Sequence, residues 1–310
     1  MTKHRILQII FIILFLFTFT KWVTAPLALI IGFLFTNIFG HPLPQLSGKV
    51  TSKMLKGSII GLGFGMSVES ALEAGANGFL LTVCSITLVL TLGYFVGKAL
   101  KMPRKLSHLT ASGTAICGGS AIAAVASAID AKDSDVSISL GVIFLLNSIA
   151  LFLFPALGHL LGMSQGQFGL WSAIAIHDTS SVVGAASAYG EEALQIATTV
   201  KLARALWIIP VSLLSLFLFK SKGSKITIPW FIFLFVAAII LNSYLSPEVQ
   251  HYTIYIYKFC KSMLVATLFL IGASLSFKSI KEVGAKPLIL GIILWTVVSI
   301  STLLVIMNYY

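Results

Sequence analysis

Apolar stretches follow one another along almost the whole chain and leave little polar sequence between them. They cover residues 6–20, 26–39, 52–68, 76–99, 110–129, 135–157, 169–190, 193–219, 228–246, 255–277 and 287–308. A helix needs about 20 apolar residues to cross a bilayer, and it satisfies its own backbone hydrogen bonds there. Several stretches are shorter than this. The pattern therefore predicts an all-α polytopic membrane protein with about ten or eleven crossing helices.

The charge content supports a membrane location. Only 10% of the 310 residues are charged and 57% are hydrophobic, whereas a soluble domain would be about a quarter charged. The net charge of +11 would suggest nucleic-acid binding in a soluble protein. No nucleic-acid-binding motif accompanies it here. We therefore expect lipid around this chain, and no nucleic acid as a partner.

The basic residues indicate an orientation. Lys and Arg cluster in short loops, as the positive-inside rule requires. A cytoplasmic N-terminus places nearly every basic cluster inside and the C-terminus outside, with Lys21, Lys132, Lys258 and Lys261 as exceptions. Residues 6–20 lack the small-residue cleavage site of a signal peptide, so we expect an uncleaved first helix.

The sequence offers no metal or cofactor motif. Cys84, Cys117 and Cys260 are widely scattered and lack metal-ligand spacing. No ATP-binding motif, Gly-x-Gly-Asp protease signature or His-Glu-x-x-His motif is present. We therefore predict neither cofactor nor metal.

Two polar segments interrupt the apolar pattern, and the first lies around 110–130. It reads Thr110-Ala-Ser-Gly-Thr-Ala-Ile-Cys-Gly-Gly-Ser120. Gly118 and Gly119 free the backbone from helical geometry, and a new helix starting there would present unpaired N–H groups to an anion. Cys117, Gly118, Gly119 and Ser120 are therefore predicted to bind substrate. The alternative is a face of small residues used for close helix packing.

The second interruption lies within 169–190 and reads Ile176-His-Asp-Thr-Ser-Ser-Val-Val-Gly184. Ionisable residues inside a span are functional candidates, so His177 and Asp178 are predicted to couple transport to protons. The hydroxyls of Thr179, Ser180 and Ser181 would bind substrate. A Ser-His-Asp hydrolase is disfavoured, because adjacent His and Asp side chains diverge. The structural alternative is a His-Asp pair capping the following helix.

Lys201 and Arg204 lie three residues apart, on one face of a helix and deep inside an apolar run. A cation at that depth needs a partner or an anionic ligand. Asp178 could be the partner in an internal ion pair. Alternatively, Arg204, with Lys201 nearby, binds a carboxylate, sulfate or sulfonate. These two interpretations are compatible if the ion pair opens when substrate arrives.

Three further expectations concern single residues. Pro210 should kink the helix that carries Arg204. Asn147 falls inside a span and should hydrogen-bond to another helix. Trp22, Trp171 and Trp230 are predicted to face lipid or anchor the helices at the membrane interface.

A weak internal repeat relates residues 49–99 to 258–308. Nine residues between Lys49 and Ala76 recur between Lys258 and Ala285 at a constant offset (282 − 73 = 209). The two copies would cross the membrane in opposite directions, as in transporters built from inverted repeats. Chance similarity between apolar helices is the alternative. The offset pairs helices seven apart in the eleven-helix topology.

The two interrupting motifs, with Gly57, Gly61, Gly63 and the Lys201…Arg204…Pro210 pattern, resemble the YeiH-like sulfate exporter family of bacterial membrane proteins. That family is grouped with the bile-acid/arsenite/riboflavin transporter superfamily. The resemblance covers nearly the whole chain. It implies inverted five-helix repeats, an extra N-terminal helix at 6–20, and broken helices that cross near the middle of the bacterial cytoplasmic membrane.

We therefore predict a single transmembrane transporter domain over residues 1–310, not an enzyme. It would move a small anion such as sulfate or a sulfonate by alternating access, with proton coupling as an option. A passive anion channel is the first alternative, and a membrane-embedded enzyme is the second. The sequence leaves the oligomeric state open, a homodimer included.

Overall fold

The computed structural model describes residues 3–20, 22–219, 230–274 and 284–310, and these contain helices but no strand. The helices are α1 Lys3–Phe17, α2 Ala25–Phe39, α3 Pro44–Leu62, α4 Val68–Ala99, α5 Arg104–Ala115, α6 Gly119–Ile129, α7 Asp133–Leu160, α8 Gln165–Ala175, α9 Thr179–Tyr189, α10 Glu191–Ala205, α11 Ile208–Phe219, α12 Trp230–Tyr244, α13 Pro247–Ser274 and α14 Ala285–Tyr309. A short 3₁₀ turn, Gly63–Gly65, follows α3. The predicted all-α class is confirmed.

Five helical segments are long and apolar enough to cross a bilayer: Val68–Ala99, Ser134–Leu160, Glu191–Phe219, Glu248–Ser274 and Ala285–Tyr309. Many large apolar side chains point outward, among them Phe217, which is 81% exposed, and Leu160, which is 80% exposed. Such a surface would be costly in water, but lipid solvates it. The chain is therefore a polytopic membrane protein. The total number of crossings and the orientation of the termini remain predictions.

The contacts divide the chain into two compact units. Unit 1 comprises Met1–Ala71 and Trp230–Phe277, and unit 2 comprises Leu72–Pro229 and Lys278–Tyr310. The single transporter domain over 1–310 remains a prediction. The repeat also remains a prediction, because Ser276, Ser279 and Glu282 of its second copy lie outside the described residues. Several basic residues used to predict the orientation lie outside them too: Lys21 and those at 220–225, 278 and 281.

Unit 1 is organised around the packing of α2 against α13. Phe11 of α1 contacts both helices, with its ring centroid 5.4 Å from that of Phe35 and 5.0 Å from that of Phe269. Two glycines allow the two backbones to touch. A β-carbon at Gly32 would lie 2.0 Å from the Phe269 carbonyl oxygen, and one at Gly272 would lie 2.1 Å from that of Leu29.

Unit 2 contains the two interruptions predicted from the sequence. The apolar stretch 110–129 divides into α5 and α6, and the stretch 169–190 divides into α8 and α9. Helices α7, α10 and α14 pack against these half-helices. A capping box fixes the start of α8, since the Ser164 hydroxyl accepts from the Gln167 N–H while the Gln167 side chain accepts from the Ser164 N–H.

Pro210 kinks the α10–α11 span, as predicted. Leu206 and Trp207 separate the two helices, and their N–H groups bond to the carbonyls of Ala203 and Arg204 in a tighter 3₁₀ pattern. Pro210 has no N–H to donate to the Leu206 carbonyl, and its ring crowds that oxygen, so the helix breaks one turn before the proline.

The prediction for Trp171 is wrong. This side chain is only 2% exposed, stacks on Phe154 at 4.4 Å between ring centroids, and donates its indole N–H to the Ser299 carbonyl at 2.9 Å. An indole can be buried in a membrane protein when its single donor is satisfied. Trp22 and Trp230 are exposed, as expected.

We predict that Gly32→Ala and Gly272→Ala each destabilise unit 1 by about 1–3 kcal/mol, because backbone atoms on the facing helix cannot move aside as a side chain can. Gly48→Ala on α3 is the matched control, since a β-carbon there meets no described atom within 4 Å. Thermal unfolding in detergent measures the difference. Equal melting temperatures for all three variants would contradict the packing described.

Candidate functional site

The first break consists of Ile116, Cys117 and Gly118, between the end of α5 and the start of α6. Gly118 has φ 65° and ψ −123°, a conformation that L side chains rarely adopt. A β-carbon there would also lie 3.2 Å from the Ile143 side chain. The backbone geometry therefore favours glycine at this position, and a side chain would also push against Ile143.

The second break consists of Ile176, His177 and Asp178, between α8 and α9. Asp178 is the N-cap of α9: its carboxylate accepts from the Ser180 N–H at 3.0 Å and from the Ser180 hydroxyl. Asn147 on α7 supports the break from the other side. Its side-chain oxygen accepts from the N–H groups of His177 at 3.2 Å and Asp178 at 3.3 Å. The interhelical bond expected for Asn147 is thus confirmed.

The two breaks touch each other. A β-carbon on Gly118 would lie 3.3 Å from the Asp178 Cβ, so the caps of α6 and α9 are in direct contact. The N-terminal ends of two eleven-residue helices therefore meet at one point. Each contributes a partial positive charge of about half a unit and N–H groups without a partner in the helix.

The predicted substrate-binding residues fall into an accessible set and a buried set. Ser120 is exposed, and Gly119, Thr179, Ser180 and the coupling candidate Asp178 are half-buried. The remaining predicted residues are buried: Cys117, Gly118, His177, Ser181, Lys201 and Arg204. The residues at the two helix starts are thus partly exposed, whereas both cations are buried.

Lys201 is used by the fold in a way that the sequence did not indicate. Its ammonium donates to the carbonyl oxygens of Ile176 at 2.7 Å and Ala173 at 3.2 Å. These are carbonyls at the C-terminal end of α8, where the backbone leaves the helix and the dipole is negative. Lys201 therefore satisfies the end of one half-helix, and this contact holds its charge in place.

Arg204 differs from Lys201, because most of its donors are unused. The side chain is fully buried, and one terminal nitrogen donates to the Ser85 hydroxyl on α4 at 2.8 Å. Its Nε and second terminal nitrogen make no hydrogen bond to any residue that the structure describes. The internal ion pair with Asp178 does not form in this structure, since that carboxylate binds Ser180 instead.

Several other buried polar atoms around the second break also lack partners within the described ranges. They are both ring nitrogens of His177, the side-chain nitrogen of Asn147 and the indole nitrogen of Trp295. The His177 and Trp295 rings lie 6.3 Å apart between centroids. Buried polar groups are normally hydrogen-bonded, and such exceptions often mark a place where water or a ligand binds.

The electrostatic balance of the site is positive. Its charged side chains are Lys201, Arg204 and Asp178, which sum to one positive unit, and the positive N-termini of α6 and α9 are offset by the negative C-termini of α5 and α8 at the same breaks. Cys117 in the first break lies within electrostatic range of all three charged side chains. Across the described part of the chain, no cluster of three or more His, Cys, Asp or Glu side chains could hold a metal ion.

We predict that Asn147→Leu destabilises the protein by about 2–4 kcal/mol, because it leaves two buried N–H groups of the break without an acceptor. Asn147→Asp keeps an oxygen at this position, so it should retain more of the stability. Asn308→Leu, which removes only an exposed bond to the Leu304 carbonyl, is a control. Thermal melting in detergent compares the three. If the Asn147→Leu and Asn147→Asp variants melt at the same temperature, the acceptor role is wrong.

The chain is similar to bacterial membrane proteins along nearly its whole length. The family model described as Conserved hypothetical protein 698 matches residues 5–291. A UPF0324 membrane protein of Bacteroides thetaiotaomicron is 53% identical over 285 residues, which is 92% of this chain and 86% of the relative. One of Shewanella oneidensis is 48% identical over 302 residues, covering 97% and 95%. No solved structure matches. The chain therefore belongs to the family of membrane proteins described as Conserved hypothetical protein 698.

Proposed function

We propose that this membrane protein is a secondary transporter for a small anion, in the class of sulfate or an organic sulfonate. The observation that carries the proposal is the buried Arg204, which has unused donors and no carboxylate partner among the described residues. A buried cation without a counter-charge costs several kcal/mol. An anionic ligand would offset that cost.

The hydrogen-bond donors near the two breaks suit an oxyanion. The guanidinium of Arg204 is planar and can bind two oxygens of a carboxylate, sulfate or sulfonate at once. The N–H groups at the start of α6 and the hydroxyls of Ser120 and Thr179 supply further donors. The N–H and hydroxyl of Ser180, also predicted to bind substrate, donate to the Asp178 carboxylate. Asp178 is the acidic group of the two breaks and would repel an anion, but its charge is engaged in capping α9. Lys201 would act by holding α8 in place and by its charge.

The broken helices support a carrier. Non-helical backbone is tolerated inside a bilayer only where protein buries it or where it lines a wet cavity, and transporters place such breaks at their substrate sites. A helix pair joined by three residues can also change its angle with little loss of hydrogen bonding. Alternating access requires movement of this kind. The resemblance to the sulfate exporter family agrees with an anionic substrate, and we place the N-terminus in the cytoplasm on the basis of the loop charges.

Anion binding is tested by thermal unfolding of the purified protein with sulfate, methanesulfonate or chloride. A ligand at about 100 times its dissociation constant should stabilise the wild-type protein by about 2.7 kcal/mol. We predict that Arg204→Met removes this shift and leaves the anion-free protein at least as stable as the wild type, because it removes an unpaired buried charge. Lys201→Met should cost about 2–4 kcal/mol without anion, since two carbonyls lose their donor.

The result that contradicts this assignment is an oxyanion shift that survives Arg204→Met. An unchanged melting temperature for Lys201→Met without anion would contradict the distinction between the two cations.

Transport is tested by counterflow in proteoliposomes. Vesicles loaded with unlabelled sulfate should accumulate labelled sulfate transiently, because a carrier exchanges one solute for another. In a passive channel the labelled sulfate would only follow the electrochemical gradient. Clamping the membrane potential at zero would then abolish accumulation through a channel. Saturable exchange with Arg204→Met inactive supports the proposal, and channel-like flux would replace the carrier with the first alternative.

A further inference from the structure

The imidazole of His177 is buried in the second break, and its role in the structure is unusual. The side chain is fully buried, yet neither ring nitrogen makes a hydrogen bond to the described part of the chain. The backbone N–H of His177 donates to the Asn147 side chain. The break is therefore held through the backbone of His177 and not through its ring nitrogens. A buried ring with two free nitrogens is available to bind a proton and a ligand.

The groups that face this ring make a positive charge on it unfavourable while no anion is bound. Lys201 and Arg204 of α10 both lie within electrostatic range. Asn147 of α7 and Trp295 of α14 are its neighbours on those helices, and both are uncharged. The adjacent Asp178 directs its carboxylate to Ser180, and Cys117 is the titratable group of the first break. Among the described residues no carboxylate or carbonyl accepts from either ring nitrogen.

An anion bound beside Arg204 would reverse this balance. It would cancel part of the positive charge of α10 and could accept a hydrogen bond from an imidazolium. Binding of the anion and binding of a proton then favour each other, because each stabilises the state that the other prefers. The reaction at the ring is a proton transfer: hydronium or a buffer acid gives one proton to the nitrogen lone pair, and water or the conjugate base remains in solution.

We propose that His177 takes up one proton together with the anion, so that the transporter moves the two in the same direction. This inference rests on the proposed anion-carrier function. It assigns coupling to His177 and not to Asp178, the other sequence candidate. The Asp178 carboxylate accepts from the Ser180 N–H and hydroxyl, and protonating it would weaken the cap of α9. The His177 ring makes no hydrogen bond to the described residues, so protonating it would break none of theirs.

The number of protons is measured by isothermal titration of sulfate into the wild-type protein in two buffers with different ionisation enthalpies. We expect uptake of about one proton per bound sulfate between about pH 6 and about pH 8. The dissociation constant should therefore rise up to about tenfold for each pH unit above neutrality. Methanesulfonate serves as a second probe. This measurement needs no variant, so a misfolded mutant cannot obscure it.

The variant His177→Gln should bind sulfate without proton uptake and with a dissociation constant that is flat in pH. His159→Gln, which changes an exposed histidine at the end of α7, is the matched control and should retain the wild-type proton count. Sulfate binding without proton uptake by the wild-type protein would overturn the inference while leaving the anion site intact, as would an unchanged count in His177→Gln. Absence of binding by both probes would instead overturn the proposed function, and the inference with it.

Discussion

A bilayer interior provides no hydrogen bonds to a backbone that leaves helical geometry, and the organisation of unit 2 follows from that constraint. The chain breaks two helices where it could have continued them, and other helices must then satisfy the exposed backbone groups. Asn147 accepts from the two N–H groups of the second break, and Lys201 donates to the carbonyls before it. These polar side chains are expensive to bury unless they are used in this way.

The same arrangement leaves charge unbalanced. Two helix N-termini meet at Gly118 and Asp178, and Lys201 and Arg204 lie behind them. The charge of Lys201 is partly compensated by the two carbonyl oxygens to which it donates. Arg204, in contrast, donates to a neutral hydroxyl, that of Ser85. A net positive site between half-helices suits an anionic ligand. Both proposals, the anion site and the proton on His177, use this one imbalance.

Much of this can be predicted from the sequence, because it depends on local signals. Gly118-Gly119 and the His177-Asp178 pair stand out against apolar surroundings, and the helices break at these residues. The kink before Pro210 follows from the chemistry of proline alone. A cation within an apolar run is expected to be buried, and Arg204 is fully buried.

The contacts made over long separations in the chain cannot be predicted in this way. Asn147 and His177 lie 30 residues apart, and nothing in the sequence predicts the hydrogen bond between them. A single amide inside a span indicates only that some partner exists. A lysine inside an apolar run is a candidate for binding substrate, and the sequence alone therefore predicts that role for Lys201. Its hydrogen bonds to carbonyls at the end of α8 are visible only in the structure. Trp171 reads as an interface residue for the same reason: its partner, the Ser299 carbonyl, lies on α14.

The central claim is that an anion binds where the two broken helices meet. Anomalous diffraction from crystals grown with selenate, which has the shape and charge of sulfate and a strong scattering edge, tests it directly. We expect one selenium peak within about 4 Å of the Arg204 guanidinium and close to the N-terminal ends of α6 and α9. A fully occupied peak elsewhere, or a carboxylate paired with Arg204 in the presence of selenate, would contradict it.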